Sequence, residues 1–129
     1  MNKFYFDTSI WIDIYDKRGY NGEMAKKLVE KIISNGGFIL YSDIVVFELK
    51  GLGFLEYEIN QMLSIAKPNV KLVNSAKSQF REATKLAKQR KVPLRDALHA
   101  ILSRDYEVQL VSRDWDFEKL KDITRAKIP

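Results

Sequence analysis

Short apolar runs alternate with longer amphipathic stretches along the chain. Four runs have the length and composition of strands, namely KFYFD (3–7), FILY (38–41), VKLV (70–73) and VQLVS (108–112). Between them, apolar residues recur with helical spacing; from Gly22 to Gly36, for example, apolar pairs repeat every four residues. The pattern therefore predicts strands and helices in alternation.

The helical spacing also sets approximate boundaries. Helices are predicted at 9–15, 22–35, 43–50, 54–66, 76–91 and 94–104. Thr8 or Ser9 can cap the first of them, and Asn74 or Ser75 the helix that runs to about Lys91. In that helix the residues expected to face inward are Ala76, Phe80, Ala83 and Ala87. The opposite face carries a basic stripe of Lys77, Arg81, Lys85 and Lys88.

Strand and helix alternation without a linker, repeat or low-complexity segment indicates one α/β domain over residues 1–129. We expect a central, mostly parallel β-sheet with helices on both faces, because parallel strands need crossover connections. In such sheets ligands bind beyond the carboxyl ends of the strands. Residues that follow the strands are therefore the first candidates for function.

Composition narrows the chemistry that is available. The 129 residues are 46% hydrophobic, which suits a packed core, and they include no cysteine and a single histidine, His99. Disulfides and cysteine-ligated or histidine-rich metal sites are therefore excluded, and any metal would be bound by oxygen. No stretch has the length of a membrane span and the start is unlike a signal peptide, so we expect a cytoplasmic protein without membrane contact.

The charge balance favours a polyanionic partner. The formal net charge is +5, from 22 basic and 17 acidic residues. If five of the acids share one site, the other 12 leave a net charge of +10 on the rest of the protein. Such a surface suits nucleic acid, although lysine-rich helices are often only solvated faces.

Several acids stand where elements meet. Asp7 closes the first strand, and Asp114 and Asp116 follow the last one, so a parallel sheet brings all three to one edge. Glu48 and Asp96 lie in helices among apolar neighbours, where a carboxylate needs a partner.

Each acid also has an ordinary structural interpretation. Asp96 could be a first-turn acid, Asp7 a helix cap and Asp114 a turn residue, while Glu48 could pair with Lys50 or an arginine. Together, however, they form the set of oxygen ligands that Mg²⁺ prefers. His99 is interpreted as a packing or surface residue.

Four short motifs carry a family resemblance across the whole chain. They are FYFDTSIWI with Asp7, SDIVVFELKG with Glu48, RDALHAIL with Asp96, and SRDWDF with Asp114 and Asp116. In this order the sequence resembles the PIN-domain nucleases, among them the small VapC-type toxins of toxin–antitoxin pairs. Ser112 stands where the family usually has threonine, and the hydroxyl is kept.

The resemblance implies a PIN fold and a metal-dependent endoribonuclease, the toxin of a toxin–antitoxin pair, that leaves a 5′-phosphate and a 3′-hydroxyl. It implies an RNA substrate, an antitoxin protein as partner and a homodimer. The apolar segment 51–66 is the candidate dimer surface, and the alternative is that this segment packs wholly inside its own domain. The cofactor that the resemblance implies is Mg²⁺ or Mn²⁺, with Asp7, Asp96 and Asp114 expected to hold it. Glu48 and Asp116 are further metal ligands or accept hydrogen bonds from water at the metal, so all five acids are catalytic.

Other assignments remain open. Ser9 and Ser112 are expected to orient carboxylates or water, and Arg95, Arg113 and the basic stripe are candidates for phosphate contacts. One alternative is a PIN-fold RNA-processing domain, and another is a non-catalytic domain that binds RNA or protein. A haloacid-dehalogenase-like phosphatase also begins with an aspartate after its first strand, but it needs Asp-x-Asp where this chain has Asp7-Thr8-Ser9.

Overall fold

A computed structural model describes residues 2–16 and 19–129. The elements follow the chain as β1 (Lys3–Phe6), α1 (Thr8–Asp16), α2 (Gly19–Ser34), β2 (Phe38–Ser42), α3 (Asp43–Gly51), α4 (Glu56–Ser64), β3 (Val70–Val73), α5 (Lys77–Arg90), α6 (Leu94–Asp105), β4 (Gln109–Val111) and a 3₁₀ helix (Trp115–Leu120). The predicted α/β alternation is confirmed, while the 3₁₀ helix was not predicted.

The strands form one parallel sheet in the order β3-β2-β1-β4. The chain first crosses from β1 through β2 to β3, and then returns across the whole sheet to β4. Since parallel crossovers are right-handed, α1 to α4 lie on one face and α5 and α6 on the other. The predicted parallel sheet with helices on both faces is therefore confirmed.

The middle of helix α6 is buried. Every residue from Asp96 to Ser103 is buried, and the apolar ones pack with strand residues such as Leu110 in the main core. Three polar side chains, Asp96, His99 and Ser103, go into the core with this helix. Buried polar groups need partners, so the sequence of α6 requires a polar network beneath the sheet edge.

Two cap predictions were wrong. Helix α1 begins at Thr8 and its cap is Asp7, whose Oδ1 accepts a hydrogen bond from the Ile10 amide at 3.2 Å. Helix α5 begins at Lys77, because the Gln79 side chain accepts a hydrogen bond from the Ala76 amide at 2.8 Å.

The segment before α5 is held by another element. The Ser75 amide and hydroxyl donate to the Asp43 carboxylate at 2.9 and 2.8 Å. These hydrogen bonds connect the segment after β3 to the start of α3. In α5, Ala83 and Leu86 are the buried residues. Ala76 and Phe80 are exposed rather than inward, and the buried face starts at Ala83, about two turns later than predicted.

The segment 51–66 is only partly helical. Helix α4 is shorter than predicted, and it buries Ile59, Met62 and Leu63 while Leu52 and Leu55 stay exposed. Within the described residues, none of the helices combines the length and the apolar character that a membrane span requires.

Candidate active site

The site lies at the switch point of the sheet. Strand β1 is flanked by β2 on one side and β4 on the other, and the chain leaves β1 toward β2. Asp7 follows β1 directly, and its amide donates to the Val111 carbonyl at the end of β4 at 3.2 Å. Asp114, three residues after Val111, therefore reaches the same edge, as expected from the sequence.

The Asp7 carboxylate is held by two hydroxyls. Ser9 Oγ donates to Oδ1 at 2.8 Å, and Ser112 Oγ donates to Oδ2 at 2.5 Å. Ser112 Oγ in turn accepts a hydrogen bond from the Asp114 amide at 3.0 Å. Ser112 therefore joins the two acids that end neighbouring strands, and both serines occupy the orienting positions expected for them.

Three aspartates form a compact cluster. One carboxylate oxygen from each of Asp96, Asp114 and Asp116 lies within 4.8 Å of the others. Asp96 is 4% exposed at the start of α6, while Asp116 is half-buried and Asp114 is exposed. Asp114 Oδ1 also accepts from the Asp116 amide at 2.9 Å and so caps the 3₁₀ helix.

This crowding affects protonation. Burial, and after it the negative charge of Asp114, raises the pKa of Asp96 to about 7, against the opposing pull of His99 and Arg95. Among the described residues, Oδ2 of Asp96 is buried and has no hydrogen-bond partner. The geometry therefore offers an unsatisfied oxygen in a group of acids that repel one another.

Glu48 reaches the same edge from α3. Its Oε1 accepts from Thr8 Oγ1 at 3.0 Å and lies 2.7 Å from His99 Nε2, while Oε2 lies 3.3 Å from Arg95 Nε. On the far side, His99 Nδ1 lies 2.6 Å from the Tyr5 hydroxyl, which lies 2.6 Å from Ser42 Oγ. The buried polar network expected around α6 thus ends at Glu48.

Sequence reasoning gave His99 and Tyr5 no part in this site. His99 is buried rather than on the surface, and its ring contacts Tyr5 as well as Glu48. Burial also raises the pKa of Tyr5 far above its usual range, so the hydroxyl stays protonated. The only signal in the sequence was a histidine three residues after Asp96, inside the otherwise apolar run ALHAIL (97–102).

A cavity of about 370 Å³ opens between these elements. Its polar lining residues are Asp7, Thr8, Ser9, Glu48, Arg95, Asp96, His99 and Asp114. Four of the five candidate acids thus face one space, and Asp116 joins them through its cluster with Asp96 and Asp114. Acids from four separate motifs converge here.

The basic residues considered for phosphate contact differ in their exposure and their partners. Arg95 is largely exposed at the cavity, and the basic stripe on α5 is also exposed. Arg113, in contrast, forms an ion pair with the buried Asp13 of α1. This ion pair joins the loop after β4 to α1, so the Arg113 guanidinium is not assigned to phosphate contact.

The position two residues after Asp7 carries no acid. Ser9 donates its hydrogen bond to Asp7 and has no carboxylate for general acid catalysis. The geometry is thus unlike the Asp-x-Asp pair that a haloacid-dehalogenase-like phosphatase needs.

Comparison with known proteins gives a family for this arrangement. A family model described as PIN domain matches residues 4–123, which is most of the chain. No curated protein sequence matches the chain.

Solved structures with a similar fold include VapBC2 from Rickettsia felis bound to a DNA fragment from its promoter, with a TM-score of 0.69, 19% identity and 98% of each chain covered. VapC20 of Mycobacterium tuberculosis, a toxin that cleaves the sarcin–ricin loop, has a TM-score of 0.69 and 18% identity, with 91% of this chain and 94% of that one covered. VapBC-1 from nontypeable Haemophilus influenzae has a TM-score of 0.68 and 18% identity, with 98% and 97% covered. What these proteins share with the chain at such identities is the fold.

Proposed function

The chain belongs to the PIN domain family, and we propose that it is a metal-dependent endoribonuclease of the VapC type, the toxin of a toxin–antitoxin pair. The observation that carries the proposal is the meeting of Asp7, Glu48, Asp96 and Asp114 around one cavity. The fold shared with toxins from VapBC pairs supports the same assignment.

The residues at this edge suit a hard divalent cation, Mg²⁺ or Mn²⁺. All the acidic candidates offer carboxylate oxygen, which is the ligand type such ions prefer. The cluster of Asp96, Asp114 and Asp116 includes a buried oxygen, Asp96 Oδ2, that has no hydrogen-bond partner in the described part of the chain. We assign Asp7, Asp96 and Asp114 as ligands, with Glu48 and Asp116 as further ligands or as acceptors for water.

A bound divalent cation supplies nucleophilic hydroxide near neutral pH and neutralises charge on a phosphate. The chain's own residues prepare the site for this chemistry. Ser9 and Ser112 fix the carboxylate of Asp7, and Thr8 and His99 fix that of Glu48. These contacts set the direction of each carboxylate before substrate arrives, and such supporting hydrogen bonds typically affect metal affinity and activity.

The substrate is proposed to be RNA. Arg95 presents an exposed guanidinium beside the acids, where a phosphate would enter the cavity, and the basic stripe of α5 adds positive charge on the surface. We propose that the protein works in the cytoplasm, pairs with an antitoxin protein and forms a homodimer through segment 51–66. Leu52, in that segment, is exposed and also lines the cavity, so such a dimer would adjoin the site.

Cleavage of a mixed pool of single-stranded RNA tests the proposal. We expect cleavage with Mn²⁺ or Mg²⁺ and none with EDTA, and we expect rising salt to weaken it because phosphate contacts release counterions. Asp114→Asn should abolish cleavage. Glu30 is an exposed acid on α2, so the control Glu30→Gln should leave cleavage unchanged.

The same assay distinguishes the alternatives. Intact RNA at low salt with either metal, in protein free of inhibitor, would contradict the nuclease and favour a binding domain. Release of nitrophenol from p-nitrophenyl phosphate without RNA cleavage would instead favour a phosphatase. Mapping the product ends would show whether a 5′-phosphate is left.

A further inference from the structure

Trp115 occupies an unusual position beside the candidate site. It lies between Asp114 and Asp116, two members of the aspartate cluster, and its side chain is 83% exposed. The other tryptophan, Trp11, is 0% exposed in the core. A large aromatic side chain left in water gains nothing from burial within its own fold.

The turn that carries this indole is fixed by the fold. Asp114 caps the 3₁₀ helix, and Phe117 and Leu120 anchor the helix in the core. The backbone of Trp115 therefore has a defined place next to the acids. A tryptophan side chain has only two torsion angles left to fix, so it can bind a flat partner with little further loss of conformational entropy.

A second, smaller cavity runs along the indole. It has a volume of about 130 Å³, and its lining residues are Ser112, Arg113, Asp114, Trp115, Phe117, Glu118, Ala126 and Ile128. Asp114 lines both this cavity and the larger one, so the two spaces adjoin. The far wall is the C-terminal segment, which is tied to β4 by Lys127: its amide donates to the Leu110 carbonyl, and its carbonyl accepts from the Ser112 amide, both at 3.0 Å.

We propose that Trp115 and this smaller cavity form a subsite that stacks one nucleobase of single-stranded RNA next to the scissile phosphate. The inference rests on the proposed function and adds a substrate requirement, an unpaired base at the cleavage point. The space is too small for a whole drug-sized ligand but suits one ring system, and its lining includes the indole of Trp115 and the apolar side chain of Ile128. Base stacking on an exposed aromatic ring tolerates any sequence, because every base has a π-face.

Steady-state cleavage of a single-stranded RNA oligonucleotide in Mn²⁺ tests the subsite. Trp115→Ala should raise KM roughly 5- to 150-fold, the range that corresponds to the loss of one stacked base, with kcat nearly unchanged. Trp115→Phe keeps a ring and should raise KM less. Tyr106→Ala removes a partly exposed aromatic at the opposite end of α6 and should match wild type.

Fluorescence supplies a readout that does not depend on cleavage. In an Asp7→Asn background with Mn²⁺, the oligonucleotide should quench the emission of exposed Trp115 and protect it from acrylamide. The emission of buried Trp11 should not change. A duplex RNA of the same sequence should do neither, since its bases are already stacked.

The outcomes separate the two proposals. RNA cleavage by wild type with an unchanged KM in Trp115→Ala would overturn the subsite and leave the nuclease standing. No cleavage by wild type, with Trp115 still quenched by single-stranded RNA, would contradict the nuclease and support the subsite. If Trp115→Ala instead converted a dimer to a monomer without affecting RNA, the indole would cover a second protein surface and the proposal would be wrong.

Discussion

His99 Nε2 lies 2.7 Å from Glu48 Oε1, at the end of a chain of hydrogen bonds that starts at Ser42 and passes through Tyr5. The Tyr5 hydroxyl is beside Nδ1 of the ring, so a neutral imidazole that accepts there can donate from Nε2 to the glutamate. Tyr5 of β1 and His99 of α6 thereby act together with Thr8 to set the direction of the Glu48 carboxylate.

We predict that His99→Leu weakens Mn²⁺ binding by about 10- to 100-fold, the usual effect of losing a residue that orients a ligand. It should also lower the free energy of unfolding by about 1–3 kcal/mol, because the Tyr5 hydroxyl loses a buried partner. His99→Gln, which can still donate to Glu48, should recover much of the metal affinity. Calorimetric titration with Mn²⁺ measures the first effect and urea denaturation the second.

Ser103→Ala is the matched control. Ser103 is buried one turn further along α6, and its hydroxyl donates to the His99 carbonyl at 2.9 Å without reaching the cavity. It should lower stability and leave Mn²⁺ affinity unchanged. Equal losses of affinity in His99→Leu and Ser103→Ala would show that α6 acts only through its packing.

A second prediction concerns pH. In the folded protein burial and Asp114 raise the pKa of Asp96 to about 7, against about 3.9 in an unfolded chain. The folded state therefore holds an extra proton between these values, and this contribution to stability is complete below the unfolded pKa and is lost as pH rises through about 7. Wild type in EDTA should lose stability over that window, and Asp96→Asn should lose less and melt at or above wild type at pH 7.

Thermal melts in EDTA from pH 5 to pH 8, in steps of about one pH unit, measure this loss of stability. If Asp96 were only a first-turn acid that stabilises α6, the opposite result is expected. Asp96→Asn would then lower the stability, by up to ~1 kcal/mol. Parallel pH profiles for the two proteins would therefore exclude mutual repulsion of the acids.

A third prediction separates the two arginines near the site. Arg95→Ala should weaken RNA binding and reduce the slope of log affinity against log salt by about 1, as expected for one phosphate contact. Its effect on stability should be small, because the side chain is more than half exposed. Binding titrations over a range of NaCl concentrations measure the slope.

Arg113→Ala should show the reverse pattern. It removes a guanidinium from the buried carboxylate of Asp13 and should cost about 3 kcal/mol of stability, the low end for a broken buried ion pair, since Arg113 is partly exposed. The salt slope should stay that of wild type. A reduced slope in Arg113→Ala at unchanged stability would return this residue to the phosphate contacts.

A fourth prediction concerns assembly. Leu52 and Leu55 are 64% and 57% exposed, although Ile59 and Met62 in the same segment are buried. If these exposed side chains contact a second copy of the chain, Leu55→Glu should be monomeric. Its melting temperature should stay near that of wild type diluted until it is monomeric. Light scattering at tens of micromolar measures the mass, with Tyr106→Glu as the control. Wild type with the mass of a single chain would end the dimer claim.

Most of the fold could be predicted because its signals are local. Each strand is a short apolar run, and the parallel order follows from the alternation with helices. The meeting of Asp7 with Asp114 was predictable for the same reason, since both follow strands whose carboxyl ends share one edge.

The features that could not be predicted from the sequence depend on contacts between distant segments of the chain. The His99–Glu48 pair joins residues 51 apart in sequence, and Arg113–Asp13 joins residues 100 apart. Neither is encoded by spacing. The cap errors have a similar cause, because Ser75, a good capping residue, is already bound to Asp43 from another helix.

Anomalous scattering from crystals soaked in Mn²⁺ shows whether these acids hold a divalent cation at one shared site. We expect an anomalous peak in contact with carboxylate oxygens of Asp96 and Asp114 in wild type, and its loss in Asp114→Asn. No peak between these residues in wild type at saturating Mn²⁺, or a peak of equal height in Asp114→Asn, would mean that the acids do not share a cation.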